Sequence, residues 1–270
     1  MNGSTERSRP VKTAAVISHG RVDVRAAAER VRAVAADAGV LVLDDGTDPR
    51  EADLAIALGG DGTILRSHGH LLGSDVPVIG VNYGRVGFLA SIEPAALERD
   101  LARVLAGDYM VIELPTLEME VAGSVHVAVN DFVATSAMLG RMVELAWAVG
   151  GEDVGVIPCD GMICSTPSGS TAYNLSNGGP VLVWGLDAMV LTFVAPHALV
   201  IRPLVVPRGP DIAITNLTAD REATVLVDGQ RVGMLPTGSE AVVRVGSQPS
   251  LLATLPEVTF FHRYAAAFGR

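Results

Sequence analysis

The chain has a single lysine, Lys12, so nearly all of its positive charge comes from arginine. A P-loop needs a lysine directly after its glycines, and that way of binding phosphate is closed. Cysteine is almost as scarce: Cys159 and Cys164 are the only two, and neither stands in a Cys/His cluster with zinc-ligand spacing. Residues 1–10 are polar and lack the apolar stretch of a signal peptide, so reduced and buried thiols are expected. Aromatic residues make up only 4% of the 270, which leaves the core to aliphatic side chains. No segment approaches the roughly 18 to 20 uninterrupted apolar residues of a membrane helix, and a soluble, cytoplasmic protein is expected. The formal charge of −10 argues against nucleic acid or an anionic membrane as the main partner. An anionic nucleotide stays compatible with that charge where backbone amides, a metal ion and a few arginines supply the local field.

What the chain does have begins with short apolar runs. Residues 14–18, 40–43, 54–58 and 78–81 are rich in Val, Ile, Leu and Ala, as suits strands buried on both faces of a parallel sheet. Between the first two, Ala27, Val31, Val34 and Ala38 recur at helical spacing and Gly39 supplies a stop. Further helices are expected after Thr63 and from Pro94 to about Ala106. This alternation predicts a doubly wound α/β domain over residues 1–109, with residues 248–270 packing back on it. From Met110 onward most segments alternate with period two, as in Leu117-Glu118-Met119-Glu120-Val121, and Gly, Pro and Asp turns lie between them. That pattern predicts an antiparallel, sandwich-like β domain over residues 110–247.

The run Leu54-Ala55-Ile56-Ala57-Leu58 leads straight into Gly59-Gly60-Asp61-Gly62-Thr63. A buried strand ending in glycines places a tight turn at the carboxyl edge of the sheet. Without a Cβ in the way, phosphate can approach the backbone of Gly59, Gly60 and Gly62, and Thr63 can cap the following helix. Asp61 is out of character there, since a carboxylate repels phosphate. It can hold magnesium, accept a proton from an attacking hydroxyl, or simply bond nearby turn amides. The pentapeptide resembles the Gly-Gly-Asp-Gly signature shared by NAD kinases, 6-phosphofructokinases and diacylglycerol-type lipid kinases. The resemblance implies that Asp61 is catalytic.

Residues 160–180 read Asp-Gly-Met-Ile-Cys-Ser-Thr-Pro-Ser-Gly-Ser-Thr-Ala-Tyr-Asn-Leu-Ser-Asn-Gly-Gly-Pro, a short strand followed by a hydroxyl-rich, glycine-broken loop. Many uncharged donors and acceptors suit a sugar or an amide better than a bare phosphate. Tyr173 adds an aromatic face and a hydroxyl. The whole stretch resembles the NAD kinase motif over about twenty consecutive positions. That resemblance implies that Asp160, Ser168, Thr171, Ala172, Tyr173 and Ser176 line a dinucleotide site.

Residues 80–89 resemble the same family's Asn-x-Gly-x-Leu-Gly-Phe-Leu segment, which implies Phe88 beside the adenine. Asn130-Asp131 stands where the family usually has Asn-Glu, which implies contacts from Asn130 to the adenine–ribose region and from Asp131 to the dinucleotide. Aspartate keeps the charge but shortens the reach by roughly 1 to 1.5 Å, about one carbon–carbon bond. Asp228, in Asp228-Gly229-Gln230, is expected near NAD on the same ground, and Gly62 is expected to touch both the dinucleotide and the phosphates.

The function implied is transfer of a phosphoryl group from ATP or polyphosphate, with Mg²⁺ or another divalent cation, to the 2′-hydroxyl of the adenosine ribose of NAD. The dinucleotide is expected between the two domains, and a homodimer or homotetramer is expected by resemblance. The alternatives are a catalytically silent NAD sensor and, more remotely, a diacylglycerol-type lipid kinase.

Overall fold

The computed structural model describes residues 5–7, 9–18, 22–84, 87–138, 140–198 and 200–269. The chain forms two compact units, one of Met1–Leu114 with Pro249–Arg270 and one of Pro115–Gln248.

In the first unit the fully buried strand Leu54–Gly59 runs parallel to Thr13–Ser18 on one side and Val78–Asn82 on the other. Leu41–Val42 extends the sheet beyond Thr13–Ser18. On the other flank Ser250–Thr254 lies parallel to Val78–Asn82 and antiparallel to Met110–Leu114, whose far neighbour is Thr5–Arg7. Period two alone assigns residues 110–114 to the β-rich part, and the structure puts them in this sheet instead.

Because strand residues alternate sides, Leu54, Ile56 and Leu58 face one helical layer. That layer is built from Ala27, Val31 and Ala35 of helix Val22–Asp37 and Leu97, Leu101 and Val104 of helix Leu97–Leu105. Helix Asp61–His70 covers the opposite face, and its Ile64 lies so close that a Cβ on Gly80 would stand 2.4 Å from Ile64 Cδ1. Helices on both faces of a mainly parallel sheet make the unit doubly wound.

The second unit holds two six-stranded antiparallel sheets. Phe132, Met162, Cys164 and Leu191 of one sheet and Leu145, Ile214 and Val243 of the other share one apolar core, with Trp147 and Phe193 edge-on at 5.6 Å. Both cysteines are free and buried in it, and burial pushes the thiols up, Cys159 to about 11 and Cys164 to about 12. Among the described residues no helix is long and apolar enough to cross a membrane, which leaves strand-crossing aside.

Candidate active site

Gly59 ends the central strand and pairs with Asn82 at the end of the next one, so two loops meet at the carboxyl edge of the sheet. Gly60 is extended (φ −88°, ψ 179°) and stands at the N-cap of the helix that opens with Asp61. Thr63 is therefore not the cap, contrary to the sequence expectation. It lies inside the first turn, its N–H donating to the Gly60 carbonyl (2.8 Å). Its side chain covers Gly59, where a Cβ would stand 2.5 Å from Thr63 Oγ1. The helix starts earlier because glycine accepts the cap geometry and an aspartate in the first turn suits the positive end of the helix dipole.

The second loop fixes the Asp61 carboxylate. Its Oδ2 accepts the N–H of Phe88 (2.7 Å) and its Oδ1 the N–H of Leu89 (3.2 Å). Gly84 packs on Gly60, with room for no Cβ: one would stand 2.7 Å from Gly60 Cα. Asn82 Oδ1 accepts the Gly84 N–H (3.1 Å). Arg85 and Val86 of this motif lie outside the described residues. The Phe88 ring is buried against Phe260 and Phe268, at centroid distances of 6.2 and 5.7 Å. Gly62 is exposed on the first helical turn.

In the second unit, strand Asp131–Ser136 pairs with Ala223–Val227 and with Gly161–Ser165. Its first residues therefore meet the turn at Asp228 and the loop that starts at Thr166. Asp228 adopts a left-handed backbone (φ 48°), which an aspartate tolerates better than most residues. From there its carboxylate accepts the amides of Val129 (3.0 Å), Asn130 (2.7 Å) and Asp131 (3.0 Å). Asp131 is 5% exposed, and burial together with the Asp228 charge pushes its carboxyl up to about 7. Burial raises Asp228 as well, against the pull of its three amide donors, so Asp228 keeps the charge and Asp131 takes the proton.

The loop after Ser165 is tied to the same spot. Thr166 donates its N–H to the Asn130 carbonyl (2.9 Å) and its hydroxyl to that of Val129 (2.7 Å). Gly169 lies on Asn130, where a Cβ would stand 2.1 Å from the carbonyl oxygen. Ser168 Oγ reaches Asn130 Oδ1 at 3.4 Å, and Thr171 Oγ1 donates to the Ser168 carbonyl (3.1 Å). Tyr173, 44% exposed, and Ser176 project outward, and Ala172 is half-buried between them and the loop. Asn130, Asp131, Ser168, Thr171 and Asp228 are thus gathered at one end of a sheet. Asp160 is not: it precedes Gly161 at the far end of strand Gly161–Ser165, roughly 13 Å of strand away, at about 3.3 Å per residue. There its carbonyl accepts the Ser136 N–H (3.0 Å) and the Thr135 hydroxyl (2.7 Å).

Two residues that hold these loops are missing from the expected set. Arg263 lies beneath the Phe88–Ala90 segment, and Asn174 lies inside the loop of residues 165–180. Among the described residues no group of three or more His, Cys, Asp or Glu side chains is placed to hold a metal ion.

Residues 4–109 match the ATP-NAD kinase N-terminal domain and residues 129–255 the ATP-NAD kinase C-terminal domain. An NAD kinase of Thermococcus sibiricus is 44% identical over 200 residues, 74% of this chain and 71% of that one. One from Leifsonia xyli subsp. xyli is 39% identical over 262 residues, 94% of this chain and 86% of its own length. Among solved structures, an NAD kinase from Archaeoglobus fulgidus in complex with ATP superimposes with a TM-score of 0.79 at 27% identity, over 95% of this chain and 97% of that one. Yeast NADH kinase complexed with NADH shares the fold, with a TM-score of 0.85 at 20% identity over 96% of this chain and 88% of that one. With both domains matched and relatives this similar along most of its length, the chain belongs to the NAD kinase family.

Proposed function

We propose that the chain transfers the terminal phosphoryl group of ATP to the 2′-hydroxyl of the adenosine ribose of NAD, giving NADP and ADP. The observation that carries this reading is the Asp61 carboxylate, held by two main-chain amides beside a glycine turn that can admit phosphate. Each carboxylate oxygen can accept more than one hydrogen bond, so the amides orient the group without using up its acceptor capacity. The 2′-oxygen attacks phosphorus, the bond from phosphorus to the leaving ADP oxygen breaks, and the hydroxyl proton passes to Asp61. Gly59, Gly60, Gly62 and Thr63 cradle the phosphates through amides and a hydroxyl.

NAD is recognised by Asn130, Asp131, Ser168, Thr171, Ala172, Tyr173, Ser176 and Asp228, and by Gly62 and Phe88, while Asp160, roughly 13 Å of strand away, is left to the far end of the extended dinucleotide. Asp131, its carboxyl pushed up to about 7, donates a hydrogen bond when protonated and accepts one when ionised, and a ribose hydroxyl suits both. The divalent cation arrives with the nucleotide, bound chiefly by phosphate oxygens, as Mg²⁺ in phosphoryl transfer usually is. Polyphosphate shares the phosphoanhydride bond of ATP and is read as a second donor. We place the protein in the cytoplasm, where both substrates are available, as a homodimer or homotetramer.

The test is a coupled assay with NAD, ATP and Mg²⁺, in which NADP is detected by an NADP-specific dehydrogenase. Signal should require all three components, and polyphosphate in place of ATP reads the donor range. Asp61→Asn is expected to bind NAD normally and to lose about 10² to 10⁴ in kcat, the usual range for a general base. A variant that turns over like the wild type removes Asp61 from the mechanism, and the absence of NADP with any donor removes the kinase reading.

A further inference from the structure

The peptide unit joining Phe88 to Leu89 is gripped at both ends. Its N–H, that of Leu89, donates to Asp61 Oδ1, and its carbonyl, that of Phe88, accepts from Arg263 Nη1 (2.8 Å). The same guanidinium donates to the Ala90 carbonyl, to Ser91 Oγ (2.8 Å) and to Thr254 Oγ1 (2.9 Å). Arg263 comes from the C-terminal helix Phe260–Phe268 and is only 4% exposed. Burial pushes its guanidinium down to about 10, and the Asp61 charge acts in the opposite direction.

A buried arginine is a costly way to dock a helix. An apolar side chain of similar volume does so as well or better, because a charge must be stripped of water first. This helix already packs through aromatic contacts, those of Phe260 and Phe268 on Phe88. The charge therefore calls for a purpose beyond docking. A cation on the carbonyl of a peptide polarises it and strengthens the hydrogen bond made by its N–H. Here that N–H points at the carboxylate of Asp61.

We infer that Arg263 is a positioning residue for phosphoryl transfer: acting through the Phe88–Leu89 peptide and the Ala90 carbonyl, it fixes the loop that aims the Asp61 carboxylate. This rests on Asp61 being the proton acceptor. Arg263 holds the main chain of Phe88 and not its ring, which packs on Phe260 and Phe268, so its effect belongs in turnover rather than in NAD binding.

The test compares Arg263→Met and Arg263→Lys with wild type and Asp61→Asn, reading kcat, KM for NAD and thermal melting on the full chain. A misaimed catalytic group costs about 10²-fold. Arg263→Met is expected to lose about that much in kcat with KM for NAD within about twofold. Lysine keeps the charge but cannot reach all the acceptors of the planar fork, and is expected to recover part of the loss. A folded Arg263→Met with wild-type kcat overturns the inference, as does a variant in which kcat falls and KM rises together. If the methionine variant does not fold, the lysine variant decides, and a kcat within twofold of wild type overturns the proposal. Near-normal turnover by Asp61→Asn removes the base assignment and this inference with it. An inactive Asp61→Asn beside an active Arg263→Met removes the inference alone.

Discussion

A Cβ on Gly87 would stand 2.2 Å from Asp61 Oδ1 and 2.4 Å from its Cγ. The missing side chain is what lets the carboxylate reach the amides of Phe88 and Leu89. Gly87→Ala pushes on the far end of a flexible side chain rather than on backbone, so the fold can absorb it by rotating Asp61 away. The melting temperature is expected to stay within a few degrees of wild type, while kcat falls about 10²-fold, as for a catalytic group displaced by about an ångström. Wild-type turnover in this variant would mean that the amide-held position of Asp61 is not the reacting one.

The Asp131–Asp228 pair makes stability depend on pH with a definite sign. Folded Asp131 titrates near 7, whereas an unfolded aspartate titrates at roughly 4. Between those values the folded chain keeps a proton that the unfolded chain has released, so stability falls as pH rises through the window. Above about pH 7 both states are ionised and the loss is complete. Asp131→Asn abolishes this contribution. The variant is expected to be the more stable protein at pH 8, by on the order of 2 to 4 kcal/mol, with the difference shrinking toward pH 4. Urea melts of both proteins at pH 5, 6, 7 and 8 measure this directly. A difference that grows as pH falls would refute the assignment of the proton to Asp131.

The reach of the sequence follows the range of the interactions involved. The strand Leu54–Gly59 and its glycine turn are legible because a run buried on both faces has no polar residue to interrupt it. The doubly wound unit and the sandwich both follow from such local patterns. Strand Gln230–Leu235 is not legible, because the register of its hairpin shifts between Val225 and Leu226 and resets the alternation. Thr63 has the composition of a cap, but nothing local says that a bare glycine three positions earlier takes that place. The links that fix the site span great lengths of chain. Arg263 bonds Phe88 across 175 residues, and Asp228 bonds Val129 across 99. No spacing rule encodes such pairs, so the motifs name the residues proposed to touch ligand and omit those that hold them in place.

Asn174 belongs to the omitted group. In sequence it is one more polar residue of a hydroxyl-rich loop, yet it is fully buried. Its Nδ2 donates to the carbonyls of Ser170 (2.9 Å) and Pro180 (3.0 Å), and its Oδ1 accepts the Thr192 hydroxyl (2.5 Å). One amide thus ties both ends of the loop to each other and to the neighbouring strand Ala188–Val194. Gly179 has no room for a Cβ, which would stand 1.9 Å from Asn174 Oδ1. Asn174→Ala leaves two carbonyls and a hydroxyl without partners, at a cost of about 2 to 4 kcal/mol. Because Ser168, Thr171 and Tyr173 ride on this loop, KM for NAD is expected to rise about tenfold, equivalent to about 1.4 kcal/mol of lost binding, with a smaller change in kcat. Gly179→Ala injures the same bond from the other side and should reproduce the pattern, in contrast to Gly87→Ala, whose loss is in kcat. Denaturation and steady-state kinetics on the two variants check this. A folded Asn174→Ala with wild-type KM would show that the dinucleotide does not depend on how this loop is held.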